Sequence, residues 1–289
     1  MPSQTASRPA PAGTDVGIRT IRVMGQRLKV AIRPGADRAR TPLLLMNGIG
    51  ANLELLQPFV DALDPAIEVI RFDAPGVGGS PTPVWPYRFS ALAFLVGRML
   101  DALGYQRVDT LGLSWGGALA QQFALLNSRR CRRLILVSTG AGALMVPGNP
   151  TVLAKLATPR RYQDPSYMAA IAPEIYGGDI DPALASEFAG IMRPGDPRGY
   201  FYQLLGGAGW TSVPWLGCLR QRTLILSGDD DRLVPAVNAK IMRQLIPRSQ
   251  LHIFCGGHLG LVLQAQELAP IIDSFLAAPQ PSEGDISPG

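Results

Sequence analysis

Gly112-Leu113-Ser114-Trp115-Gly116 is the stretch on which the reading of this chain turns. It matches G-x-S-x-G, a loose pattern that gains meaning only from its context. Upstream, Val108 to Leu113 reads as an apolar strand. Downstream, Trp115 to Leu126 reads as a helix that opens on Gly116-Gly117-Ala118. A strand, a tight turn and a helix in that order lift a serine hydroxyl off the edge of a sheet. The flanking glycines permit the turn and a close helix approach, and the helix N-terminus favours negative charge nearby. The bland reading of Ser114 is an N-cap on an ordinary crossover helix.

A serine nucleophile needs a base, and the 289-residue chain has only two histidines, His252 and His258. His258 follows a strand in Cys255-Gly256-Gly257-His258, where two glycines let a loop aim the imidazole. His252 lies within that strand and reads as a packing or edge residue. A carboxylate to orient the imidazole is expected at Asp231, in Ser227-Gly228-Asp229-Asp230-Asp231-Arg232-Leu233-Val234-Pro235. Its spacing to Leu233-Val234-Pro235 favours it over Asp229 and Asp230, which would shape the turn. The order Ser…Asp…His is one of three chain orders known for this chemistry. Acyl transfer also needs donors for the oxyanion. The backbone N–H of Trp115 is one candidate. Ile49, after Asn47-Gly48, is the other, unless those residues form a plain turn.

Outward from these motifs, strands and helices alternate. Ile18 to Val23 and Leu28 to Ile32 read as a hairpin about Gly25. Strands are expected at Leu43–Met46, Glu68–Asp73, Leu134–Ser138, Thr223–Ser227 and Gln250–Phe254. Helices are expected at about 89–103, 237–245 and 265–276. This spacing predicts an α/β fold with a mostly parallel, doubly wound sheet. Between residues 143 and 216 the alternation stops, yet five of the seven tyrosines and two of the four tryptophans lie there. That segment reads as a helical cap over the carboxyl edge of the sheet, where open α/β sheets bind ligands. The expected organisation is a tail at 1–16, a core of 17–142 and 217–278, the cap at 143–216 and a second tail at 279–289.

Composition narrows the function classes. Apolar residues make up 47% and charged residues 17% of the chain, against about 25% charged in typical soluble domains. Disorder of the bulk is excluded. The net charge of +5 is almost all arginine, since only Lys29, Lys155 and Lys240 are lysines. The Arg129, Arg130, Arg132, Arg133 cluster reads as a solvated helix-to-strand junction, because no nucleic-acid motif accompanies it; no nucleic-acid partner is expected. Three cysteines at wide spacing suggest free thiols in a reducing cytoplasm. The first residues lack the apolar run of a secretory leader, and no run suggests a transmembrane segment. With so few His and Cys, no metal is expected, and the chemistry calls for no organic cofactor.

Further motifs carry a resemblance. They include Asn47-Gly48-Ile49-Gly50-Ala51-Asn52-Leu53-Glu54-Leu55, Phe72-Asp73-Ala74-Pro75-Gly76-Val77-Gly78-Gly79-Ser80 and Ser114-Trp115-Gly116-Gly117-Ala118. Within the proposed cap they include Met145-Val146-Pro147-Gly148, Pro159-Arg160-Arg161-Tyr162, Ile175-Tyr176-Gly177-Gly178 and Gly209-Trp210-Thr211-Ser212. Over residues 18–277 the chain resembles the α/β-hydrolase superfamily, and more narrowly the intracellular depolymerases of medium-chain-length polyhydroxyalkanoates. The resemblance implies the α/β-hydrolase fold and a Ser114, Asp231, His258 triad. It implies hydrolysis of a stored polyester to 3-hydroxyalkanoic acids or oligomers, in the cytoplasm at storage granules. The granule surface or its coat proteins would then be partners. A hydrophobic polyester suits an apolar, aromatic-lined cleft. Met145, Tyr162, Tyr176, Trp210 and Trp215 are its candidate liners, although side chains of these types serve more often as core. The rival readings are a general carboxylesterase or lipase, a C–C bond hydrolase of aromatic catabolism and a non-catalytic granule-associated protein.

Overall fold

The computed structural model describes residues 16–158, 164–178 and 196–279. The tails expected at 1–16 and 279–289 lie almost wholly outside the described residues. Eight strands form one sheet: β1 (Gly17–Val23), β2 (Gln26–Arg33), β3 (Leu43–Met46), β4 (Val69–Phe72), β5 (Val108–Leu113), β6 (Cys131–Val137), β7 (Arg222–Gly228) and β8 (Ser249–Phe254). Their spatial order is β1-β2-β4-β3-β5-β6-β7-β8. The β1–β2 and β2–β4 pairs are antiparallel and every later pair is parallel. The sequence-predicted fold class therefore stands.

The central strands are apolar on both faces because helices cover both, as buried parallel sheets require. Successive residues point to opposite sides. Leu44, Met46, Leu134 and Leu136 join one apolar cluster with α2 (Phe89–Leu103) and α3 (Trp115–Leu126). Leu43, Leu45, Ile135 and Val137 join a second cluster with α1 (Gln57–Ala62).

Between β6 and β7 lie α4 (Pro150–Ala157), α5 (Pro165–Tyr176) and α6 (Pro197–Gly207). Each starts on an Asn or Asp followed by proline. The side chains of Asn149, Asp164 and Asp196 accept from N–H groups of the first turn, and proline pre-sets its backbone angle. The segment enters and leaves at one point. Gly142 and Thr211 form an antiparallel bridge. The Ala143 N–H donates to Trp210 O at 2.7 Å and the Ser212 N–H to Ala141 O at 3.0 Å. After β7 come α7 (Ala236–Leu245), α8 (Gly260–Leu263) and α9 (Ala265–Ala277).

One expectation is corrected. The arginine cluster is a solvated junction only in its first half: Arg129 is exposed and Arg130 half-buried in the turn after α3, whereas Arg132 and Arg133 are not at the junction. Strand β6 begins at Cys131, so Arg132 and Arg133 lie within it. Arg132 forms a two-pronged pair with the buried Asp109. Arg133 is fully buried and donates to the carbonyls of Phe275, Leu276 and Ala278 at the C-terminal end of α9. Those carbonyls have no partner within the helix, so a buried guanidinium finds acceptors there.

Candidate active site

Ser114 sits between β5 and α3 with φ +55° and ψ −119°. Non-glycine residues rarely adopt a positive φ, and the surrounding packing imposes it here. The two pattern glycines are required by contact. A Cβ on Gly112 would lie 2.3 Å from Gly116 O, and one on Gly116 would lie 2.1 Å from Met46 O. Helix α3 therefore presses against β3 and β5, and the turn between them projects the serine hydroxyl.

The hydroxyl meets His258. Ser114 Oγ is 2.9 Å from His258 Nε2, and His258 Nδ1 is 2.8 Å from Asp231 Oδ2. A carboxylate only accepts, so Nδ1 carries the proton and Nε2 is free to accept from Ser114. Asp231 and His258 are buried. The other carboxylate oxygen, Asp231 Oδ1, accepts from Leu233 N–H at 3.0 Å and Val234 N–H at 2.8 Å. The neighbouring aspartates hold loops instead. Asp229 accepts from Gly256 N–H at 2.8 Å, and Asp230 from Gly178 N–H at 2.7 Å. The ambiguity among the three is thereby resolved geometrically: only Asp231 meets His258.

The loop carrying His258 is clamped by α5. The His258 N–H donates to Tyr176 O at 2.7 Å, and the Tyr176 ring stacks on the imidazole with centroids 6.0 Å apart. Gly257 is obligatory, because a Cβ there would lie 2.3 Å from the carbonyl oxygens of Tyr176 and Gly177.

Beside Ser114 runs the loop after β3. A Cβ on Gly48 would come within 3.8 Å of Ser114 Cβ. Gly48 N–H is taken by Asn47 Oδ1 at 2.9 Å, and Ala51 N–H by Gly48 O at 3.2 Å. Among the described residues, neither the Ile49 N–H nor the Trp115 N–H is engaged by another group. Two unengaged amides beside a serine hydroxyl are able to cradle an oxyanion.

A small cavity of about 40 Å³ opens at the serine. Its walls are apolar: Ile49, Ala51, Leu55, Leu113, Leu233 and Leu259, with Tyr176 and the Ser114–His258 pair. Of the predicted liners, Tyr176 is there. Trp210 and Trp215 are not. Their rings lie 5.9 Å apart, Trp210 is 5.0 Å from Phe89, and both pack on the α2–α3 side of the core. Met145 packs on Gly140, where a Cβ would come 2.1 Å from its Sδ. Tyr162 lies outside the described residues. The leucine walls carried no signal in the sequence, because a cavity leucine and a core leucine look alike. No three or more His, Cys, Asp or Glu side chains gather to hold a metal ion among the described residues.

A family model described as the alpha/beta hydrolase fold matches residues 41–177 and 174–265. The chain belongs to the α/β-hydrolase fold family. It is a hydrolytic enzyme of that family. It is 54% identical over 260 residues to a poly(3-hydroxyalkanoate) depolymerase of Ectopseudomonas oleovorans, covering 89% of this chain and 92% of that protein. It is 31% identical to a 2-hydroxy-6-oxo-2,4-heptadienoate hydrolase of Pseudomonas putida, covering 83% of this chain and 90% of that one. Among solved structures, the enol-lactonase from Burkholderia xenovorans LB400 superposes with a TM-score of 0.79 at 23% identity, over 90% of this chain and all of that one. This α/β hydrolase thus shares its fold with enzymes of diverse substrates.

Proposed function

We propose that this α/β hydrolase is a serine esterase that cleaves a medium-chain-length polyhydroxyalkanoate to 3-hydroxyalkanoic acids or oligomers. The observation that carries the reading is the unbroken line Asp231–His258–Ser114, opening on an apolar cavity. The 54% identity to a named depolymerase supports the substrate. An uncharged polyester with alkyl side chains matches apolar walls.

The steps follow from the geometry. His258 Nε2 takes the Ser114 proton as Oγ attacks an ester carbonyl of the polymer. The N–H groups of Ile49 and Trp115 hold the oxyanion. Asp231 stabilises the imidazolium and holds its ring in place. His258 then protonates the departing alkoxide, leaving a 3-hydroxyacyl ester on Ser114. A water gives its proton to His258 and attacks that ester. Collapse returns the proton to Ser114 and frees the acid. In this reading the 143–216 segment is a cap over the site, and the enzyme works in the cytoplasm at the surface of storage granules.

The test is a hydrolysis panel of medium- and short-chain polyhydroxyalkanoates, tributyrin and an aromatic ring-cleavage diketone. The expected preference is the medium-chain polyester. Ser114→Ala should lower that rate by about 10⁴-fold or more. A Ser114→Ala protein of near-normal activity would overturn the assignment. Preferential turnover of the diketone would instead favour a C–C bond hydrolase, the reading supported by the 31% identical relative.

A further inference from the structure

We infer that Gln203 is a positioning residue for the oxyanion cradle, through which helix α6 sets the aim of the Ile49 and Trp115 amides. The inference rests on the proposed roles of those two amides.

Gln203 is 1% exposed, a costly place for an amide unless its polar atoms are bonded. Its Oε1 accepts from the Gly50 N–H at 2.7 Å. Its backbone carbonyl accepts from the Trp115 indole Nε1–H at 3.0 Å. One residue therefore grips the loop carrying Ile49 and the side chain of Trp115. The first bond matters most. Along the loop, Gly48 N–H is held by Asn47, Gly50 N–H by Gln203 and Ala51 N–H by Gly48. The Ile49 N–H alone stands unengaged between two pinned neighbours. The Ile49 N–H lies in the Gly48–Ile49 peptide plane, and the planes on either side of it are anchored through the Gly48 and Gly50 N–H groups, so its rotation is restricted from both sides.

The helix is seated closely enough to act as a reference. Gly199 and Gly76 approach so nearly that a Cβ on Gly76 would lie 2.5 Å from Gly199 Cα. The Tyr200 ring occupies the space beside Gly50, 3.0 Å from where a Cβ would sit. Tyr202 Oη donates to Val84 O at 3.2 Å, and Thr82 Oγ1 donates to Asp196 Oδ2 at 2.6 Å. The cradle is thus built from the core, and its aim is fixed from an element inserted between β6 and β7.

The test uses the full chain and p-nitrophenyl octanoate. Gln203→Met keeps the length of the side chain and removes its strong acceptor. A misaimed oxyanion donor predicts a fall in kcat of about 10–100-fold. KM should stay within about twofold, since ground-state binding is untouched, and the melting temperature should fall by no more than about 10 °C, the cost of a Gly50 N–H left without its acceptor. Affinity for an octyl trifluoromethyl ketone, whose Ser114 adduct places an oxyanion in the cradle, should fall by the same factor as kcat/KM. Trp115→Phe, which keeps the backbone amide and deletes the bond to Gln203 O, should lower kcat about 3–10-fold. If Gln203→Met does not fold, Gln203→Asn, which draws the acceptor back from the Gly50 N–H by one methylene, takes its place with the same expected fall in kcat. A folded Gln203→Met protein with kcat within twofold of the parent overturns the inference, as does a loss seen in KM alone. Ser114→Ala in the same assay separates the two levels. If it stays active, the reading of the site fails. If it is dead while Gln203→Met is unaffected, only the role of Gln203 fails.

Discussion

Ser114 is held at φ +55°, and a residue in such a region costs about 1–3 kcal/mol that the surrounding contacts must supply. Glycine adopts that angle freely and alanine does not. Ser114→Gly should therefore be more stable than Ser114→Ala by about 1 kcal/mol, a melting point roughly 2–3 °C higher. Calorimetry of the two inactive proteins checks this. The aspartates offer a second contrast. Asp231→Asn leaves an amide facing His258 and disfavours the needed tautomer, so kcat should fall by about 10²–10⁴-fold. Asp229→Asn keeps an oxygen that can still accept from Gly256 N–H, and its rate should stay within about threefold of the parent. Ester hydrolysis by both variants checks the pair. At this scale the meeting of Ser114, His258 and Asp231 was legible, since scarce histidines and glycine-rich turns leave few choices. Gln203 was not, because a polar residue in a helix has no local mark of the backbone groups it meets.

Among the elements, strands buried on both faces were read closely, because an unbroken apolar run of strand length, bounded by turns, fits little but a buried strand. The β5 and α3 bounds fall where the sequence places them. The short α1 and α8 went unread, being of six and four residues, too brief for a helical period to show. The start of β6 was missed because Arg132 and Arg133 break its apolar run. Arg133 is in fact a tie between β6 and α9. Arg133→Met should strand the carbonyls of Phe275, Leu276 and Ala278 and cost about 2–4 kcal/mol. Urea unfolding measures that loss. The kcat of the folded protein should be unchanged, since α9 carries none of the reacting groups.

Across the whole molecule, reactivity follows burial. All three cysteines are free thiols. Cys131 is enclosed within the sheet, and burial pushes its thiol up to about 12. Cys218 and Cys255 are exposed. Iodoacetamide at about pH 8 should label those two and spare Cys131 until denaturant opens the core, because the thiolate is the reacting form. Mass spectrometry of native and unfolded samples reads the difference; native labelling of Cys131 would show that the sheet opens there.

The clasp between Gly142 and Thr211 bears on how such a protein changes its diet. A segment whose two ends are stitched side by side resembles a cassette with a single socket. A laboratory chimaera cut at the bridge is expected to exchange its contents while keeping the strand order on either side. The exchange has one condition. The incoming piece must bring its own acceptor for the Gly50 amide, so that a new cassette inherits the old machinery in working alignment.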